Sequence, residues 1–433
     1  MTDKKHTINR RSLLQAGVAL SLGLSLNLSS TMGFAAEKTL NILSHRVHQT
    51  SLGEAEKGTD LLENWKKDNG VETVWTTFDS NPLMDRLFRE ASLPQTDFSV
   101  GFLVDNRPTS EIAKLFEPLD AWQEKDPIAD FTDIAPGLVE GMTIDGKLIG
   151  IPVRTATQAL FYNEDILKEA GFNAPPATME ELITMAEKVS SGGQATGMVL
   201  ASDLSVFPVM FARAFGGDFI DKDFKLMPNE QAMTQAIETL AAMFKSGSLP
   251  RSYATTKNDD QVTWMQQGRA AFTVLPFARA AQLNNPEQSK YSGKIKAIVF
   301  PATKELQDKN QPMASVVEAW AMVIPANAKD KETAWNFIKQ VSAPDVTLGM
   351  ALNGNGPARV STFAEKQLTE KNPLAETEAK ALANARGAFP PFAEAARAQS
   401  IFIEEVQLAV MGRKSATDAV EAIKKRVQPL LPQ

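Results

Sequence analysis

The sequence predicts an α/β protein built from two units, each a mostly parallel sheet flanked by helices, and three observations carry that expectation. Short apolar runs alternate with helix-periodic segments from Thr39 onward. A second series of the same kind opens after the turn Asp145-Gly146-Lys147. The 433 residues, 43% hydrophobic and 22% charged, suffice for two to three domains and fit neither a disordered chain nor a multi-span membrane protein.

The chain begins with a segment of another kind. Ile8 to Gln15 sets Arg10 and Arg11 before Leu13-Leu14, and Ala16 to Leu28 is apolar and uncharged, which reads as a twin-arginine export signal. At about 13 residues the apolar run is too short to cross a ~30 Å hydrocarbon core. Gly33-Phe34-Ala35 offers a cleavage site, so a signal peptide is expected over 1–35 and the mature protein in the periplasm. A Sec signal or a retained anchor is the alternative. This segment holds Lys4, Lys5, Arg10 and Arg11 against Asp3, so the formal charge of −7 becomes −10 without it. A nucleic-acid partner is therefore not expected, since phosphate binding needs a basic footprint on the fold itself.

In the mature part, Thr39 to Leu43 reads as a strand, followed by the polar stretch Ser44 to Ser51 and a helix carrying Leu61, Leu62 and Trp65 that Gly70 closes. Val71 to Thr76 alternates as a strand, Leu83, Leu87 and Phe88 face one side of a helix, and Phe98 to Val104 is a third strand. Such units bind ligands beyond the carboxyl ends of their strands. Leu148 to Arg154 and Ala159 to Asn163 are extended, and Thr178 with Glu181 forms a capping box for a helix bearing Leu182, Met185, Ala186 and Val189. Helices around Met233 to Phe244 and from Asn258 to Gly268 follow, then strands Ala270 to Leu275, Ile295 to Phe300 and Ala319 to Ile324. The remainder is largely helical. Its last helix, near Ser415 to Leu430, ends in Lys424, Lys425 and Arg426, where cations suit the dipole.

Zero cysteines exclude thiolate chemistry, disulfides and Cys-ligated metals, and His6, His45 and His48 are the whole imidazole supply. No nucleophile elbow, P-loop or zinc-protease motif occurs, so no enzyme activity, cofactor or metal site is expected.

Several blocks together resemble the extracellular solute-binding proteins of carbohydrate ABC importers, the maltose-type periplasmic binding proteins. They are Asp145 to Pro152, Leu160 to Gly171, Pro175 to Leu182, Gly268 to Phe272, Pro325 to Ile338 and Pro357-Ala358-Arg359. The twin-arginine leader is less usual in that family than a Sec or lipoprotein leader. The resemblance implies a two-lobe hinged fold of the type II periplasmic-binding-protein class, with ligand in the cleft and a membrane permease as partner. It implies a first lobe over 36–153, a second over 154–298, a return to the first over 299–343, and second-lobe and carboxyl-terminal helices over 344–433. A monomer is expected.

The implied function is capture of a sugar or sugar-like polyol, with a polyamine or iron as the alternative ligand. Sugars are held by aromatic faces and by planar donors and acceptors for hydroxyl pairs. Candidate contacts at strand ends are accordingly His45, Arg46, His48 and Gln49 after the first strand, Asp79 after the second, and Asp105 and Asn106 after the third. Glu318 with Trp320 resembles the family's cleft-lining segment, Asp218 sits in a turn often brought to the cleft, and Phe277 stands where a stacking aromatic is often found. Arg154, near the expected hinge, and Arg359, after Asn353-Gly354-Asn355-Gly356, suit a hydroxyl pair or a carboxylate. Iron sites of this architecture tend to use neighbouring tyrosines, whereas Tyr162, Tyr253 and Tyr291 lie far apart in sequence.

Overall fold

The computed structural model describes residues 38–54, 60–311 and 313–432; the expected export segment lies outside them. Ten strands are described: β1 (Lys38–His45), β2 (Val71–Phe78), β3 (Val100–Val104), β4 (Thr143–Ile144), β5 (Lys147–Leu148), β6 (Ile151–Asn163), β7 (Thr196–Val199), β8 (Ala270–Pro276), β9 (Ile295–Ile298) and β10 (Val317–Val323). β1 pairs in parallel with β2 and β3, and β7 pairs in parallel with β8. These parallel pairs are the cores of two lobes, and β6 and β10 join them by antiparallel pairing. β4 and β5 form a hairpin whose turn, Asp145-Gly146, takes positive φ at both residues, as a two-residue hairpin turn requires.

β3 is buried along its whole length because helices cover both faces of the sheet. Gly101 lets the helix Ser80–Ala91 lie close, since a Cβ there would stand 2.4 Å from Leu87 Cδ1. In the other lobe, Thr178 Oγ1 accepts from Glu181 N–H at 3.2 Å and starts the helix Met179–Ser191, whose Leu182, Met185, Ala186 and Val189 are buried as their spacing predicts.

β6 belongs to both lobes. Its first half, to Thr157, pairs with β10, and its second half, from Gln158, pairs with β8 and β9. Two other segments cross beside it: Gln158 N–H donates to Val316 O at 3.0 Å, Val317 N–H to Arg386 O at 3.1 Å, and Arg386 N–H to Ser315 O at 3.1 Å. The hinge is thus residues 157–158, 315–317 and 385–388.

These crossings differ from the boundaries expected from sequence. Phe300, Ala302, Met313 and Val316 pack in the second core, so the return to the first lobe comes at Val317 and not at 299. Val346, Met350, Leu368, Ala375 and Leu382 pack in the first core, so 344–385 belongs mainly there, with Leu374 and Ala381 touching second-lobe strands, and the following helices, Ala395–Val410 and Ala416–Val427, belong to the second. Periodicity shows that a helix has an apolar face, but it does not say which of two cores receives it. No helix among the described residues is long and apolar enough to cross a membrane.

Candidate functional site

At the carboxyl end of β1 the expected polar loop is a short helix, Arg46–Ser51, capped by His45, whose Nδ1 accepts from Val47 N–H at 3.1 Å. One turn on, His48 returns beneath the strand end. Its Nδ1 lies 2.9 Å from Ser44 Oγ, and that hydroxyl donates to His45 O at 3.2 Å. The serine proton being engaged, Nδ1 is assigned as the donor, which leaves His48 Nε2 as an acceptor, buried and without a partner among the described residues. The ring stacks on Phe102, centroids 4.3 Å apart and planes 15° apart, with Trp320 5.2 Å away.

The hinge strands supply the rest. Trp320 on β10 stands opposite Arg154 on β6, with a register shift directly after the tryptophan that bends the ladder there. Trp320 Nε1–H donates to Glu318 Oε1 at 3.2 Å, and its ring centroid is 6.1 Å from that of His45. Arg154 is half-buried, and among the described residues its guanidinium makes no hydrogen bond and no ion pair. Asp105, half-buried, anchors its backbone N–H on Ala319 O at 2.9 Å and approaches the hinge, its Oδ2 lying 3.9 Å from where a Cβ on Gly387 would stand.

The electrostatics follow from this crowding. Burial, then the Arg154 cation and the His45 ring, holds the His48 imidazole well below its ordinary value. Burial and Arg154 lower His45 also, against the opposing charges of Asp79 and Glu318. Burial lowers Arg154, with Glu318 opposing. Burial and the Glu318 carboxylate push the Asp105 carboxyl well above the usual range, against backbone N–H donors. The cluster therefore offers neutral imidazoles, one exposed carboxylate, one carboxyl that resists ionisation and one uncommitted guanidinium. It is a set of donors and acceptors suited to hydroxyl and oxyanion groups.

Of the sequence candidates, His45, His48, Asp105, Arg154, Glu318 and Trp320 come together here, with exposed Asp79 close enough for its charge to act on His45. Arg46 and Asn106 are exposed on the loops after β1 and β3, and Gln49 turns to Glu54 O at 3.2 Å. Three candidates are committed elsewhere. Asp218 is 2% exposed and takes Arg213 Nε at 3.2 Å from both oxygens, Arg386 Nη2 at 2.5 Å and Phe219 N–H at 2.9 Å. Arg213 in turn donates to the carbonyls of Ala314, Ser315, Arg386, Gly387 and Ala388, so this pair ties two hinge segments to the second lobe. Arg359 is 1% exposed and donates to Ser342 O and Asp130 O, both at 2.8 Å, and to Ala129 O, a staple within the first lobe. Phe277 is buried against Phe161.

Sequence reasoning missed Ser44 and Phe102, which fix His48 from below, and Phe78, which is exposed at the end of β2 opposite His45. A bulky aromatic as the last residue of a strand, directly before Asp79, was the available signal for Phe78. No group of three or more His, Asp or Glu among the described residues is arranged to hold a metal ion.

A two-lobed α/β fold with a polar cluster beside three crossing segments defines a hinged binding protein of the type II periplasmic class. The chain belongs to the bacterial extracellular solute-binding protein family, whose sequence model matches residues 60–377. Among its relatives is a probable ABC transporter-binding protein of Deinococcus radiodurans, 24% identical over 365 residues, 80% of this chain and 83% of that one. Among solved structures, maltose-bound MalE3 of T. maritima superposes with a TM-score of 0.72 at 22% identity, covering 91% of this chain and all of that one. A solute-binding protein of Agrobacterium radiobacter K84 in complex with ribitol gives 0.71 at 21% identity, covering 90% and 98%. These structures show the fold.

Proposed function

We propose that this protein is the periplasmic substrate-binding component of an ABC importer, closing two lobes around a sugar or sugar-like polyol and presenting the closed form to the membrane permease. The observation that carries the reading is the cluster of His45 and Asp105, at the ends of β1 and β3, with Arg154, Glu318 and Trp320 on the strands beside the hinge, polar and in part unsatisfied. The maltose and ribitol held by proteins of this fold support the ligand class.

The mechanism is binding, not chemistry. Ligand contacts made from both lobes stabilise the closed arrangement over the open one, and the hinge at 157–158, 315–317 and 385–388 absorbs the rotation. The Arg154 cation within the cluster disfavours a polyamine, which needs uncompensated acidic walls. Tyr253 is buried in the second core, which disfavours a tyrosine-based iron site. Export through the leader over 1–35, cleavage near Ala35 and a monomeric state belong to this reading.

A thermal-shift screen of the purified protein against mono- and disaccharides, alditols, polyamines and ferric salts tests it. A ligand bound only by the folded state at 100 times its Kd adds about 2.7 kcal/mol, a readily measured rise in midpoint. A saturable shift with a sugar or alditol is expected; a shift with polyamine or iron alone contradicts the reading.

A further inference from the structure

We propose that the ligand is a sugar acid, a sugar or polyol bearing one carboxylate, and that Arg154 holds this carboxylate at the floor of the cleft. The inference rests on the sugar-binding reading above and narrows it.

The treatment of arginine elsewhere in the molecule sets the standard. Arg213 and Arg359, both buried, spend their donors on carboxylate and carbonyl oxygens supplied by the protein. A guanidinium taken out of water without acceptors is costly, so such saturation is the rule. Arg154 differs from both: half-buried on the first-lobe half of β6 and still open to water, it makes no hydrogen bond or ion pair among the described residues. Its nearest carboxylate across the ladder, Glu318, sits on the diagonal position of β10, accepts from Trp320 Nε1 at 3.2 Å and forms no ion pair with Arg154. The planar fork is therefore left for an acceptor that arrives with the ligand, and a carboxylate meets it with two parallel N–H···O bonds.

The surroundings limit the charge to one. Arg154 is the cation whose charge acts on both His45 and His48, while Asp79 and Glu318 act in the opposite sense on His45. A single carboxylate is matched by one guanidinium, but a phosphate dianion or a polyacid brings further negative charge beside Glu318 and Asp79, against which Arg154 is the one cation acting on the two imidazoles. Asp105, Glu318 and His45 remain for the hydroxyl groups that a sugar acid shares with its neutral parent.

Isothermal titration of the purified protein with D-galacturonate, D-glucuronate and D-gluconate, each beside galactose, glucose or sorbitol, and with glucose 6-phosphate, tests the proposal. At least one carboxylate is expected to bind tenfold or more tightly than its neutral parent. Arg154→Gln should weaken the acid at least tenfold more than it weakens the neutral parent, with an unchanged unfolding midpoint. Arg154→Lys, which keeps the charge and loses the fork, should fall between. A neutral parent or a sugar phosphate that binds as tightly as the acids overturns the inference and leaves the sugar-binding reading in place. Failure of acids, neutral sugars, alditols and phosphate alike overturns that reading, and the inference with it.

Discussion

Two arginine–carboxylate regions of this molecule differ in how completely they are satisfied. Around Arg213 and Asp218 in the second lobe every strong group has a partner: the carboxylate takes two guanidinium groups and a backbone N–H, and Arg213 reaches five carbonyls. Around Arg154 and Glu318 beside the first lobe, the guanidinium and the buried His48 Nε2 both lack a partner among the described residues. Folding saturates polar groups whose task is to hold the chain, because an unmade bond in the interior costs about 1–3 kcal/mol. Groups left open at a hinge, beyond the ends of parallel strands, are those that a ligand can complete.

The largest effect should come from breaking the saturated region. Arg213→Met leaves Asp218 buried with only Arg386 for countercharge and cuts the ties to 314–315 and 386–388, so a loss of about 3–5 kcal/mol is expected in urea unfolding. Loss of ligand affinity with stability intact would reverse the roles of the two regions.

Glu378 sharpens the comparison, for it is 6% exposed, lies outside the cluster, and its carboxyl makes no hydrogen bond or ion pair among the described residues. Burial pushes its carboxyl up to about 8 from 4.5. The unfolded chain releases this proton first, so the group destabilises the fold progressively as pH rises from 4.5 to about 8. Glu378→Gln should therefore stabilise by about 3 kcal/mol at pH 8, by nothing measurable at pH 4, and should leave ligand affinity unchanged. An affinity change would show that openness away from the strand ends also serves binding.

Within the open region, Trp320→Ala should weaken ligand binding at least 30-fold, about 2 kcal/mol by titration; unchanged affinity removes the indole from the site. The smallest effect concerns His48, whose folded-state value lies well below 6.5 because of burial. As pH falls through 6.5 the unfolded chain takes up a proton that the folded ring refuses, so stability is lost on acidification. Replacing His48 by Gln should flatten the fall in unfolding free energy between pH 6.5 and 5.5 by about 1 kcal/mol.

Much of this was legible in the sequence. The strands from Thr39 to Val104 and the capping box at Thr178 follow from apolar periodicity and turn residues, and His45 and Asp105 follow from the rule that ligands lie beyond strand ends, whereas Arg154, Glu318 and Trp320 are pointed to by the resemblance to the family. What was not legible shares one cause. Asp218 and Arg359 have the residue types of ligand contacts, and only the fold shows that Arg213 and the carbonyls of Ala129, Asp130 and Ser342 have already engaged them. The helices of 344–382 likewise announce an apolar face without its destination, and β6 reads as two extended stretches although one continuous strand serves both lobes.

The central claim is that the unsaturated cluster and its hinge are where ligand acts. Hydrogen–deuterium exchange, with and without the sugar that gives the largest thermal shift, tests this most directly. Protection is predicted in peptides covering 44–49, 104–106, 152–158, 316–321 and 385–388, with the helices Glu230–Ser246 and Ala416–Val427 unchanged. Protection confined to those second-lobe helices, with none around Arg154 and Trp320, would contradict it.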